Sequence, residues 1–516
     1  VLVHAESKSL LLKVRDPSTI TSLIPKHKLV DIQGHNVAVR HGLDEVRVLR
    51  NMGVEAPSPI LHHYKWPGKY TPMAHQKDTA SMLTLHQRAF VLNETGCGKT
   101  ASALWAADYL MSLGVVRKVL IMSKLSTLKR VWMEEVFKIL MHRSAVVLHG
   151  DKEKRTKRLA ANVDFYIINH EGIAVMLKEL QARKDIDLII CDEFSEYRNQ
   201  STSKFEMLAK LLRPNVRFWG MTATPCPNAP TDAYALAKLI NPRGIPQYFG
   251  QFKRETMLQV TQYKWVPRPG AYDIAYQAMQ PAVRYRKADC LDLPPVVTEE
   301  RECELSAEQK KAYERMRIDL VAEAKAGVQI TAVNAADKIN KLRQILLGVV
   351  RTGDGEYAPL DHKPRLNVLL ECIQEAAAKV IVVVPFKGIL RTLEQEVTAA
   401  GYSVGVLNGD VSVNERDNII TAFKTSADPH VLLCHPKVMA HGLNLTEADM
   451  CIFYGPIYSN DEFQQVVERF NRPGQTRKMT VIRMGAMMLE FDIYAALDKK
   501  QEGQKTILDM YKRIVS

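Results

Sequence analysis

Four- and five-residue apolar runs recur along the chain, separated by longer stretches whose apolar positions fall three and four apart. Such runs suit buried strands, and the intervening spacing suits amphipathic helices. Between residues 70 and 245 the runs lie at 89–92, 119–122, 165–168, 188–191 and 217–220. Strands this apolar are covered on both faces, as in a parallel sheet flanked by helices. A second series follows at 380–384, 403–407, 431–434, 450–454 and 479–483. The pattern predicts an α/β chain with two parallel-sheet lobes in tandem, 66–245 and 361–485. Residues 246–360 join them: 246–300 reads as irregular, with Pro267, Pro269, Pro294 and Pro295, and 306–350 as helical. Residues 486–516 read as a helical C-terminal tail.

Residues 1–65 read as a small α+β domain of their own. Strands are expected at 10–14 and 35–40, each beside a helical stretch. The spacing at 42–53 fits a short amphipathic helix closed by Gly53. Pro57, Pro59, Pro67 and Gly68 then mark a linker. There is no short internal repeat and no low-complexity tract.

Composition narrows the class. The 516 residues are 46% hydrophobic, enough for sizeable cores, and 70 Lys+Arg against 57 Asp+Glu give a net charge of +13. A basic balance favours a polyanionic partner such as nucleic acid, although a merely basic protein is the plainer reading of charge alone. Eight cysteines are scattered without a C-x-x-C pair, so no metal cluster is expected and a reducing compartment fits. No signal peptide and no apolar run of transmembrane length stand out. The expectation is a monomer with no membrane partner, not secreted. It would be cytoplasmic or nucleoid-associated, or nuclear in a eukaryote.

The run at 89–92 leads into Asn93-Glu94-Thr95-Gly96-Cys97-Gly98-Lys99-Thr100, and a helix-prone stretch follows from 101 to 113. Strand, tight loop and helix start make an anion cradle, because backbone N–H groups and the helix N-terminus both favour phosphate oxygens. Lys99 would reach the β- and γ-phosphates and Thr100 would place its hydroxyl on Mg²⁺. The full pattern has Gly where Asn93 stands, and a glycine-rich turn is the bland alternative.

Asp192-Glu193 follows the run at 188–191. The C-terminal edge of a strand is where an open α/β sheet places ligand chemistry. Asp192 would hold Mg²⁺, and Glu193 would orient and deprotonate an attacking water. In isolation such a pair is an acidic turn; a phosphate loop on a neighbouring strand favours catalysis. Thr222-Ala223-Thr224-Pro225 could hydrogen-bond to this pair and relay its state, or merely build a turn. In the second series, Arg469 and Arg472 are three apart, hence expected on one helical face. Aimed at a γ-phosphate they would stabilise transition-state charge; otherwise they are a solvated pair.

With these motifs the chain resembles the Swi/Snf-like branch of superfamily-two helicases and DNA translocases over residues 70–485. The resemblance rests on Met73-Ala74-His75-Gln76, residues 93–100, Ser123-Lys124 with Trp132 and Glu135, and residues 168–171. It continues through Asp192-Glu193 with Arg198-Asn199, 222–225 with Asn228, Leu342-Arg343-Gln344, Gly409, Arg416 and Gly442-Leu443-Asn444-Leu445. It ends with Gln465 to Gln475, whose Q-x-x-x-R-x-x-R-x-G-Q spacing is the most specific element. The resemblance implies two RecA-like lobes that use ATP and Mg²⁺. Catalysis would rest on Lys99, Glu193, Arg469 and Arg472, and the nucleotide would lie on Gln76, Thr95, Gly96, Cys97, Gly98, Lys99, Thr100 and Gly442. Gln76 would read the adenine edge. Ser123, Lys124, Asn169 and Asn444 would contact DNA. The family usually has Ala-His after Asp-Glu, where this chain has Phe194-Ser195, which leaves the relay from the nucleotide open.

Residues 1–65 resemble the small HARP domain of annealing helicases, which implies recognition of forked or branched DNA; a generic cap on the ATPase core stays open. The expected activity is ATP-dependent translocation or strand separation on duplex, forked or branched DNA, in replication, recombination or repair. A duplex translocase that strips bound proteins, an RNA helicase and a nucleotide-gated scaffold remain the alternatives.

Overall fold

The computed structural model describes residues 1–226, 229–261, 265–290, 294–325, 332–351, 357–439, 443–472 and 474–498. The chain divides into two units, Val1–Leu291 and Asp292–Ser516.

Among the described residues, the first unit is built on a seven-stranded sheet. Its strand order is Ala282–Val283, Arg88–Val91, Arg217–Met221, Ile186–Cys191, Lys118–Ser123, Phe165–Asn169 and Ala145–Val147. Every pairing is parallel. The apolar runs alternate between two cores, as a period of two requires. Ala89, Val91, Val119, Ile121, Leu188 and Ile190 enter one core. Phe90, Leu92, Leu120, Met122, Ile189 and Cys191 enter the other. Both faces are therefore covered, and the C-terminal strand edges are left to carry chemistry.

The N-terminal residues hold four strands, not two. Their antiparallel order is Leu2–His4, Ser9–Leu12, His35–Arg40 and His27–Ile32. The helix Leu43–Asn51 buries Leu43, Val46 and Leu49, and Gly53 follows at φ +79°. That left-handed conformation ends helices readily because glycine lacks a Cβ. These residues do not pack as a separate domain. Leu10, Val37 and Val46 share one core with Leu83, Leu85, Trp105 and Tyr109. Arg47 donates from Nε to the Leu85 carbonyl at 2.7 Å and from Nη2 to that of Thr84 at 3.0 Å. The Tyr64 hydroxyl donates to Asp108 Oδ2 at 2.6 Å.

Residues 246–300, expected to be irregular, contain the helices Phe249–Thr256 and Ala271–Ala278 and a short hairpin, Met257–Gln259 with Trp265–Pro267. They also supply an edge strand to each large sheet, Ala282–Val283 to the first and Val296–Glu302 to the second.

The second unit carries a six-stranded parallel sheet among its described residues. Its order is Val296–Glu302, Met479–Gly485, Ala448–Phe453, Lys379–Val383, Val431–Cys434 and Val404–Leu407. Two parallel-sheet units in tandem are the architecture that the two hydrophobic series predict. The helices Ala307–Lys325 and Ala332–Leu346 lie in the stretch 306–350 expected to be helical, but its end turns into a strand, Val349–Arg351, paired with Tyr357–Pro359. A fully buried ion pair between Arg365 and Glu490 ties the helix Lys363–Glu375 to Met488–Asp498. That last helix opens the expected C-terminal tail; residues 499–516 lie outside the described residues.

Candidate nucleotide site

The strand Arg88–Val91 ends in the loop at 92–98, and the helix Lys99–Ser112 begins directly after it. Gly96 and Gly98 have φ of +91° and +71°, a region costly for residues with a Cβ. Gly98 is constrained twice, since a Cβ there would lie 1.9 Å from Gln76 Nε2. The first turn of this helix presents backbone N–H groups of the kind that favour an anion. Lys99 Nζ donates to the carbonyls of Asn93 at 2.8 Å and Glu94 at 3.2 Å. A triphosphate would offer it stronger, charged acceptors.

Gln76 stands in the first turn of the helix Ala74–Leu85, buried, with Oε1 accepting from Met73 N at 3.0 Å. The structure thus brings Gln76 against the loop at Gly98. Thr95, Cys97 and Thr100 sit in or directly after the same loop.

Asp192 and Glu193 leave the C-terminal edge of Ile186–Cys191. They are not on a strand adjacent to Arg88–Val91, as expected; Arg217–Met221 lies between. That intervening strand leads to Thr222, whose N–H donates to the Val91 carbonyl at 3.0 Å and whose hydroxyl accepts from Thr224 N at 3.2 Å. Asp192 Oδ2 accepts from Ser123 Oγ and from Trp132 Nε1, both at 3.1 Å, while Oδ1 accepts from Glu193 N at 3.0 Å. Burial, then the Glu193 carboxylate beside it, pushes the Asp192 carboxyl above the usual range, against the pull of Trp132, Lys99 and Ser123. Glu193 has φ +50°, a strained conformation for a non-glycine residue and common where function fixes the backbone. Hard oxygen donors suit Mg²⁺. The carboxylate of Asp192 and the hydroxyl of Thr100 fit that ion, and the Asp192 carboxyl would ionise more readily beside it.

Phe194, the departure after Asp192-Glu193, is fully buried. Its ring lies 5.9 Å from those of Phe90 and Tyr197 and 5.2 Å from that of Phe218.

The residues assigned to DNA by resemblance fall in varied settings. Ser123 is fully buried, and its hydroxyl serves Asp192 and Thr127. Asn169 accepts from Arg155 Nη1 and donates to Glu171 Oε2, both at 3.1 Å. Lys124 is half-buried. Asn444 Oδ1 is buried without a hydrogen-bond partner among the described residues. Gly442 lies outside the described residues, as do Asn228 and Pro473.

In the second unit Arg469 is on the helix Asn460–Phe470, but Arg472 is not. The helix ends at Phe470, so the two arginines do not share a helical face as the spacing suggests. Arg472 folds back, Nε donating to the Glu468 carbonyl at 2.9 Å. Burial, then the Arg469 charge, pushes its guanidinium down to about 9. Gln475 is buried and caps this turn, donating to the carbonyls of Ala448 at 2.8 Å, Thr446 at 3.2 Å and Phe470 at 3.4 Å. The last Gln of the spacing pattern is thus a strut that holds the arginine turn. Among the described residues, no helix is long and apolar enough to cross a membrane and no cluster of three metal-ligating side chains occurs.

The family model of the SNF2-related domain matches residues 75–351, and that of the helicase conserved C-terminal domain matches 364–474. An uncharacterised ATP-dependent helicase of Mycoplasma genitalium is 24% identical across 81% of this chain and 40% of its own length. The chromodomain-helicase-DNA-binding protein 1-like of Danio rerio is 26% identical across 86% of this chain and 45% of its own. The chain thus spans under half the length of these two relatives. Protein p41 of Acyrthosiphon pisum secondary endosymbiont phage 1 is 23% identical across 79% of this chain and 90% of its own length. Among solved structures, the Sulfolobus solfataricus SWI2/SNF2 ATPase core in complex with dsDNA is 21% identical, with a TM-score of 0.42, covering 86% of this chain and 94% of that one.

Proposed function

The chain belongs to the SNF2-related family, and on that premise we propose that it is an ATP-driven motor acting on DNA. One observation carries the reading. The loop ending in Lys99 and the carboxylates of Asp192 and Glu193 leave the same edge of one parallel sheet, one strand apart. Loop N–H groups and Lys99 would hold the phosphates, and Gln76 the base. Thr100 and Asp192 would hold Mg²⁺, which neutralises phosphate charge when bound. Glu193 would take the proton of the attacking water. Arg469 and Arg472 of the second unit would supply guanidinium charge to the γ-phosphate in the transition state.

Duplex DNA, and forked or branched DNA in particular, is the proposed substrate. The net charge of +13 suits phosphate-directed binding with little base reading. The antiparallel sheet at residues 2–40 is the proposed junction contact, because Lys28 and Arg40 lie exposed on it and Lys26 beside it. Arg47 is spent on the backbone carbonyls of Leu85 and Thr84. Such a substrate would place the protein at the nucleoid, or in the nucleus of a eukaryote.

ATP hydrolysis measured with single-stranded, duplex, forked and four-way DNA, and with duplex RNA, tests the proposal. Stimulation by duplex and more strongly by forked DNA is expected. Stimulation by RNA alone would overturn the choice of substrate, and no hydrolysis with any of them would overturn the motor.

A further inference from the structure

Asn93 breaks the glycine-first pattern of the phosphate loop, and its surroundings give it a task. Its side chain is fully buried. Nδ2 donates to Thr79 Oγ1 at 3.0 Å, and Oδ1 accepts from Tyr285 N at 3.0 Å. Glycine could make neither bond.

Tyr285 stands just past the edge strand Ala282–Val283, on a stretch that runs beside the loop. Phe90 N donates to the Pro281 carbonyl at 2.9 Å, Leu92 N to that of Val283 at 2.8 Å and Glu94 N to that of Tyr285 at 3.0 Å. This two-residue rhythm continues a parallel ladder past the end of the strand and into the loop. Farther on, Lys287 N donates to Glu94 Oε2 at 2.9 Å. The Tyr285 hydroxyl donates to Asp78 Oδ2 at 3.1 Å, and its ring centroid lies 5.7 Å from that of His75. His75 Nε2 is in turn 3.0 Å from the Cys97 carbonyl.

Two elements therefore grip the loop from both ends. One is the helix Ala74–Leu85, through His75, Gln76 and Thr79; the other is the stretch at 281–287, which the Tyr285 hydroxyl ties to Asp78 of that helix. The carbonyls so fixed, those of Asn93 and Glu94, are the ones on which Lys99 rests. We propose that Asn93 and Tyr285 are positioning residues for the nucleotide. They hold the loop in the shape that receives the phosphates, and so set nucleotide affinity rather than the hydrolytic step. The proposal rests on the nucleotide reading of residues 93–100.

The test compares the full-length chain with Asn93→Gly, Asn93→Asp and Tyr285→Phe, and with Lys99→Ala as control. A fluorescent ATP analogue gives Kd; steady-state hydrolysis with duplex DNA gives KM and kcat; thermal melting reports folding. Tyr285→Phe keeps the backbone bonds to Asn93 and Glu94 but frees the stretch from Asp78, and should raise Kd and KM about 2- to 10-fold, the usual net worth of one such bond. Asn93→Gly removes two and should raise them further, with kcat within about threefold of wild type, since the groups that act on water are untouched. Asn93→Asp keeps the acceptor for Tyr285 N and should fall between Asn93→Gly and wild type. A fall in kcat with KM unchanged, or wild-type Kd in Tyr285→Phe, overturns the proposal. Should Asn93→Gly fail to fold, Tyr285→Phe, which loses a single oxygen, decides. Wild-type protein that binds no nucleotide, or Lys99→Ala that binds as well as wild type, would instead sink the nucleotide reading itself.

Discussion

A Cβ on Gly220 would lie 2.4 Å from Cδ1 of Phe194, so the bare α-carbon of one residue makes room for the ring of the other. Phe194 follows Glu193 directly, and its ring anchors the turn that holds Glu193 at φ +50°. Gly220 in turn lies two residues before Thr222. The aromatic departure from the family pattern is thus matched by a glycine on the neighbouring strand, and together they tie the carboxylate turn to the threonine turn. Gly220→Ala should cost about 1–3 kcal/mol by overpacking. Chemical denaturation checks the stability. Turnover should fall as well, because the displaced ring moves the Glu193 backbone; unchanged turnover in a destabilised variant would mean that the ring is only packing.

Removing residues 1–65 should destabilise the first unit rather than merely alter substrate choice. Leu83, Leu85, Trp105 and Tyr109 would lose apolar cover, and Asp108 would lose the Tyr64 hydroxyl. Burial of one large apolar side chain is worth about 1.5–3 kcal/mol, so losing cover over several exceeds what a marginal domain tolerates. Thermal melting and size-exclusion profiles of the truncated chain would report this, as a large drop in Tm and aggregation. A truncated chain with wild-type Tm would show that the shared core contributes little.

The buried His170 provides a pH signature. Burial pushes its imidazole down to about 4, with Nδ1 3.0 Å from the Tyr197 hydroxyl. Between that value and the usual pKa of about 6.5, the unfolded chain binds a proton at this site that the folded chain does not. Stability at this site is therefore full above about pH 6.5 and falls as the pH drops towards 4, by at most about 3 kcal/mol. Urea denaturation at a series of pH values should show a shallower slope over that window in His170→Gln than in wild type.

Much of this architecture was legible in the apolar runs, because strands covered on both faces must be apolar throughout. Of the four edge strands of the two large sheets among the described residues, Val404–Leu407 was legible and the other three were not. Ala145–Val147 and Ala282–Val283 are too short to show a period, and Val296–Glu302 is rich in charge, as befits a half-exposed edge. The loop before the helix Lys99–Ser112 and the turn at Asp192-Glu193 were legible as local structure because each directly follows an apolar strand. The bond from Tyr285 to Asn93 joins residues 192 apart, and nothing in either neighbourhood announces it. The end of the arginine helix was hidden for a similar reason. Gln475, held by carbonyls near residues 446–448, fixes the turn that takes Arg472 off the helix.

Arg472→Ala should lower turnover by about 10³ or more if its guanidinium meets developing charge on the γ-phosphate. Nucleotide affinity should stay within a few fold, since that charge matters most in the transition state. Single-turnover hydrolysis alongside an ATP titration separates the two. Equal losses in affinity and rate would mean that Arg472 binds the ground state, and no loss in either would remove it from the reaction.

The central claim is that Glu193 activates water for attack on a nucleotide held by the loop at 93–100, and Glu193→Gln tests it most directly. The amide keeps the shape of the side chain but cannot accept the proton. Steady-state ATP hydrolysis with duplex DNA should fall by about 10² to 10⁴, the usual contribution of a general base, while ATP affinity stays near that of wild type. Turnover within a few fold of wild type would contradict the account.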